Sequence, residues 1–201
     1  MIKSVAEWLG ISPSTLIIGV SVFIIFVIVV LIKTSFDEKK GVNSQEKQDI
    51  RKLVSKIVPN GQDYMAAYAH GKDVHRDRTS TLETYYYYAI GFRPDQTDHL
   101  WLIPIGFENG RVTYIEPMRM DADSLSYISG NEFYMELHHP ATNQTYTITV
   151  EASNTKLGKE CPVNIQQKEE TDAFLTFGKT FQETVNRKLG VDKKGRPLKN
   201  K

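Results

Sequence analysis

The chain has 201 residues, 25 of them basic and 24 acidic, for a formal net charge of +1. That balance gives no electrostatic case for nucleic acid or a polyanionic partner, and a single cysteine, Cys161, excludes an internal disulfide and suits a reducing compartment. Beyond an apolar amino-terminal stretch about 165 residues remain, the size of one domain with its own core.

The stretch is LIIGVSVFIIFVIVVLI at 16–32, within uncharged sequence running from Trp8 to Ile32. At 1.5 Å per residue about 25 residues exceed a hydrocarbon core of roughly 30 Å. Leu16, Ile17, Ile18, Phe23, Ile24, Ile25, Phe26, Val27, Ile28, Val29, Val30, Leu31 and Ile32 are therefore expected to lie in a transmembrane helix over 14–32. The run is longer than a signal-peptide core and no small-x-small site follows it, which favours a retained helix over a cleaved leader. Trp8 takes the interfacial position. Lys33, Lys39, Lys40, Lys47, Arg51 and Lys52 follow the span and only Lys3 precedes it. The expectation is a single-pass cell-membrane protein with 1–13 outside and the domain in the cytoplasm.

Residues 33–44 read as a polar linker. Ile50, Leu53, Val54 and Ile57 then recur at i, i+3, i+4 and i+7 between Ser44 and the stop Pro59-Asn60-Gly61, which predicts a helix. A second, short helix is expected at 64–69, ended by Gly71, and a loop at 75–80. From Thr81 aromatic and β-branched residues dominate between recurrent turns, the pattern of an antiparallel sheet. Strands are expected at 82–92, 99–107 and 111–117, the last two joined by Asn109-Gly110, a strong hairpin signal. A shorter element follows at 125–128, then a turn at Ser129-Gly130-Asn131. Phe133, Met135 and Leu137 alternate with Tyr134, Glu136 and His138, and Tyr146, Ile148 and Val150 alternate with threonines, giving a further hairpin across 140–143. A final short strand is expected at 162–165.

Ala173, Phe174, Phe177, Phe181, Val185 and Leu189 share one face of a closing helix, with Thr171 as its cap and Gly190 as its end. The tail 191–201 has five basic residues and one acid and is expected to be disordered, with anionic headgroups as a candidate contact. The expected fold class is α+β. An amino-terminal transmembrane helix precedes a soluble domain over 45–190. That domain is an antiparallel sheet or partly open barrel of six to seven strands, preceded by one or two helices and closed by an amphipathic one.

Strands in meander order followed by one amphipathic helix, over 82–189, resemble the pleckstrin-homology-like fold, including bacterial versions on membrane-anchored proteins. Lipid-binding members cluster basic residues in the first hairpin. Here that hairpin reads FRPDQTDH, with Arg93 alone against Asp95 and Asp98, and inositide recognition is not implied. The two helices ahead of the sheet are similar instead to the cone-shaped domain of VirB-type inner-membrane components of secretion channels, which stays open as an alternative.

The candidate residues for chemistry are few. His70 and His75, with Asp73 and Asp77, lack the three- or four-residue spacing of paired ligands on a helix, and Gly71 interrupts them. His138 and His139 point to opposite faces of a strand. Asp121 and Asp123 lack the glycine and glutamate of a calcium loop. Cys161 has no base near it in sequence. No nucleophile elbow, phosphate loop, dinucleotide fingerprint or zinc-protease motif occurs. No catalytic residue, metal or cofactor is therefore expected. Tyr85, Tyr86, Tyr87 and Tyr88 with Trp101 remain, either as sheet packing or as a candidate partner surface. The expected function is that of a membrane-anchored, non-enzymatic adaptor or scaffold docking a protein partner, without nucleic acid. The alternative is a structural subunit of a secretion- or conjugation-type channel.

Overall fold

The computed structural model describes residues 45–77, 80–108, 111–131, 134–155 and 162–198, with Phe23, Val27 and Ile28. The chain divides into two units, 1–40 and 41–201. In the first, Phe23, Val27 and Ile28 have helical backbone and exposed side chains, while the rest of 14–32 and all of 33–44 lie outside the described residues.

The expected transmembrane helix is corrected. Among the described residues no helix is long and apolar enough to cross a membrane. Helix α1, Gln45–Ile57, has 13 residues, and α2, Lys168–Leu189, carries charges along its 22 residues. What is described is mostly antiparallel sheet with these two helices.

The second unit is built around strand β1, Met65–Arg76. A helix was expected at 64–69 and a loop at 75–80, but 65–76 runs as one strand paired with β2, Thr81–Arg93, from Met65–Phe92 out to Arg76–Thr81. The physical reason is two-sided burial. Ala66 and Tyr68 face one core while Ala67 and Ala69 face the other, so the apolar run has neither strand alternation nor a helical stripe. Strand β3, Gln96–Glu108, pairs with β2, and its far edge carries two short strands, β4, Arg111–Tyr114, and β5, Met118–Asp121. The single strand expected at 111–117 is thus broken. Pro104 and Pro117 have no N–H to give a ladder, and only Ile115 N–H, bonding Pro104 O at 3.0 Å, spans the gap.

Strands β6, Tyr127–Gly130, β7, Met135–His139, and β8, Gln144–Ile148, form a second sheet, and β9, Ser153–Asn154, pairs with β10, Ile165–Gln166. One sheet of six to seven strands was expected. The described chain has sheets of five, three and two strands. A bridge with two hydrogen bonds, His70 N–H to Thr149 O at 3.0 Å and Thr149 N–H to His70 O at 2.8 Å, joins the first two along β1.

The five-stranded sheet has a core on each face. On one side α1 lays Ile50 and Val54 over Ala66, Tyr68, Ala89 and Ile103. On the other, Ile90, Phe92, Leu100, Leu102 and Met120 meet Ile128, Leu137 and Ile148 of the second sheet and Phe174, Phe177, Phe181 and Val185 of α2. Phe177 stacks on Phe181 at 5.3 Å and lies 5.2 Å from Phe92.

Two buried carboxamides join α2 and its approach to the strands. Asn186 Oδ1 accepts Ile128 N–H and its Nδ2 donates to Ile128 O, both at 2.8 Å, as a neighbouring strand would. Gln167 does the same for Tyr68, at 2.9 and 2.8 Å, and also donates to Glu151 O. Thr171, expected to cap α2, sits inside it, its hydroxyl bonding Gln167 O.

Glu170, almost wholly buried, ties α2 to α1 through Lys47 at 3.0 Å and Arg51 at 2.7 Å. Burial alone would raise its carboxyl, but hydrogen bonds from Lys47, its own backbone and Arg51 outweigh that and hold it below the usual range. A depressed folded pKa stabilises the fold above the ordinary carboxylate value of about 4.3, and the contribution is lost as pH falls through the lower folded value. Glu170→Gln is expected to cost about 1–3 kcal/mol at pH 7, below the figure for a fully buried pair because Arg51 is mostly exposed. Urea unfolding at pH 7 and pH 3 checks this: the gap between variant and parent narrows in acid.

Candidate docking groove

Helix α2 leaves a gap where it passes the end of the β6–β7 hairpin. Gly130 closes that strand with φ of 125°, and a Cβ there would overlap Tyr134 O, so the hairpin turns only with glycine. On the helix Gly178 faces Met135, whose Cε would lie 2.8 Å from an added Cβ. The result is a groove of about 410 Å³. Met135, Ile148, Val150 and Phe174 supply its apolar walls, and Leu175 (45% exposed) and Tyr134 (38%) stand at its mouth. Its polar lining is Ser129, Asn131, Gln182, Lys179 and Lys193. Three of these side chains are committed: Gln182 donates to Ile128 O at 3.1 Å, Asn131 Oδ1 accepts Tyr134 N–H at 3.3 Å, and Ser129 belongs to the network below.

Lys193 reaches the groove from a segment expected to be disordered. The tail is ordered through Leu198. Val191 bridges Pro197, and Asp192 accepts the backbone N–H groups of Lys194 and Arg196 and pairs with the Arg196 guanidinium at 2.7 Å. These bonds push the Asp192 carboxyl down to about 2. Gly195, with φ of 72°, lies against the Tyr127 ring.

Behind the groove, on the outer face of the small sheet, Ser129 Oγ lies 2.6 Å from Glu136 Oε2 and 2.8 Å from His138 Nε2, while Thr145 Oγ1 lies 3.0 Å from His138 Nδ1. Tyr127 stacks on the imidazole at 3.8 Å. A serine nucleophile needs a histidine that accepts its proton. Here the carboxylate can only accept, so Ser129 donates to Glu136 and His138 Nε2–H donates to Ser129, leaving Nδ1 for the Thr145 hydroxyl. Burial lowers the His138 pKa against the pull of Glu136, which favours the neutral ring that this pattern uses. Spacing in sequence gave no sign of this network, since it depends on the register that sets Tyr127 opposite His138 and Ser129 opposite Glu136.

The other sequence candidates are scattered. Tyr88 is core, with its phenol pushed up by burial, and Tyr87 packs edge-on against Phe107 at 5.9 Å. Trp101 is half-buried, its Nε1 enclosed without a hydrogen-bond acceptor among the described residues. Tyr85 donates to Glu83 under the Lys72 ammonium, and Tyr86 is exposed. The five residues thus form no single surface. His70 reaches Glu151 at 3.5 Å, and His75, Asp73 and Asp77 line an exposed ribbon. Asp121 Oδ1 accepts the N–H groups of Asp123 and Ser124 in a local turn. Among the described residues no three His, Cys, Asp or Glu side chains group as a metal site. Cys161 and the Asn109-Gly110 turn lie outside the described residues. Comparison with known proteins gives no matching family model and no matching curated relative.

Proposed function

We propose that the domain is a non-enzymatic docking module whose α2/β6–β7 groove receives a short apolar segment of a protein partner. The observation that carries this is the groove itself: Leu175 and Tyr134 stand exposed at its mouth, above a floor of buried Met135, Ile148, Val150 and Phe174. Large apolar side chains at the rim of a concave site are the kind that anchor interfaces. Two sheets joined through β1 and one closing helix support the pleckstrin-homology-like reading, in which the scaffold presents such a site without catalysis. The basic residues Lys33, Lys39, Lys40, Lys47, Arg51 and Lys52 support a place for the module on the cytoplasmic side.

Leu175→Asp is expected to leave thermal stability within about 1 kcal/mol of the parent, because the side chain is half-exposed. It should abolish co-purification of a defined protein from the membrane fraction of cells producing the chain. Tyr86→Asp, on the exposed ribbon, should leave that protein bound. Equal recovery with both variants would refute the groove as the docking site.

A further inference from the structure

The chemistry of the occupant follows from the groove's charges. Its lining includes two cations, Lys179 on α2 and Lys193 on the carboxyl-terminal turn, and no carboxylate among the described residues. Both lysines are exposed, and neither forms an ion pair with a carboxylate among the described residues. Of the neighbouring cations, Arg196 pairs with Asp192 and Lys168 with Asp172. Glu183, one turn beyond Lys179 on α2, is in position to compensate it, yet lies outside ion-pair distance. Among the described residues the site thus offers two exposed apolar side chains, Leu175 and Tyr134, beside two lysines without an ion pair.

The order of the turn supports the same conclusion. A short polar tail has little apolar area to offset the entropy of fixing it. This one is nevertheless held at three points: the Val191–Pro197 bridge, the Asp192 carboxylate with its backbone and Arg196 partners, and Gly195 against Tyr127. What those contacts bring to the groove is Lys193.

We infer that the groove takes an acidic, apolar peptide segment, a leucine or aromatic residue lying against Leu175 and Tyr134 while a neighbouring Asp or Glu meets Lys179 and Lys193. The 191–198 turn serves to position Lys193. This inference rests on the docking reading above and adds the sign of the partner's charge.

The test is a selection of random 12-residue peptides displayed on phage against the full chain, with the Leu175→Asp chain as counter-selection so that only groove-dependent peptides survive. The expected survivors carry Asp or Glu within two residues of Leu, Phe or Trp. Their affinity should fall at least tenfold in the Lys179→Glu, Lys193→Glu double variant and with rising salt. Gly195→Val, strained at φ of 72° and crowding Tyr127, should lower it three- to tenfold with an unchanged circular dichroism spectrum. Neutral or basic survivors would overturn the acidic assignment and leave the docking reading standing. No groove-dependent survivor would overturn both. Sodium octanoate is titrated alongside, and lysine-dependent binding of octanoate without peptide binding would give the groove to a fatty acid and overturn the peptide.

Discussion

Replacing Phe177 by alanine is expected to lower the stability of the domain by about 3–5 kcal/mol, the largest loss from any single truncation in the α2 core. The ring is 1% exposed and lies between Phe181, stacked at 5.3 Å, and Phe92 of β2 at 5.2 Å, with Phe174 at 6.1 Å. Its removal takes away both the transfer free energy of the ring and contacts that the three remaining aromatics cannot remake, because they are fixed on two different elements. The cavity would open at the centre of the interface between α2 and the five-stranded sheet. Chemical denaturation of parent and variant, at matched slope, reads the difference. Leu189→Ala, at the partly buried edge of the same stripe, should cost much less.

Asn186→Ala is expected to cost about 2–4 kcal/mol although it removes almost no apolar contact. The carboxamide makes two 2.8 Å hydrogen bonds to Ile128, which is fully buried. Ile128 O keeps a second donor in Gln182, whereas Ile128 N–H would have no partner among the described residues. A buried donor left unsatisfied carries its desolvation cost in addition to the lost bonds. The free edge of β6 then faces a helix that cannot complete it, so amide exchange at Ile128 should rise well before global unfolding. Asn186→Asp separates the two halves of the interaction, because the carboxylate accepts Ile128 N–H but cannot donate to Ile128 O and adds a buried charge. It should be at least as destabilising at pH 7 and recover in acid. If either variant matched the parent, the carboxamide would not be acting as a strand mimic.

The parts of this fold that could be read from the sequence are those in which one face alone is buried. Phe174, Phe177, Phe181 and Val185 follow helical spacing and are all buried on α2, and Met135 and Leu137 alternate with half-exposed neighbours on β7. Where burial is two-sided the periodicity disappears, which is why β1 could be taken for a short helix. Long-range chemistry left no local mark. Gln167 and Asn186 read as ordinary polar residues near a helix, yet each stands in for a strand through contacts 99 and 58 residues away. The groove was hidden for the same reason: its walls come from β6, β7, α2, the chain at Ile148 to Val150 and a turn that composition marked as disordered. The tyrosine run stood out because four aromatics in succession are conspicuous, but strand geometry divides them between two faces and three degrees of burial.

The most direct test of the docking account places a photo-crosslinking amino acid at position 175 of the full chain in living cells, with position 82 on the exposed ribbon as the control. Leu82 is more exposed than Leu175, at 64% against 45%, so exposure alone would favour the control. The account predicts one discrete cross-linked protein from position 175, absent from position 82 and lost when Lys179 and Lys193 are both reversed in charge. Cross-linking of the same protein from both positions, or from position 82 alone, would contradict it.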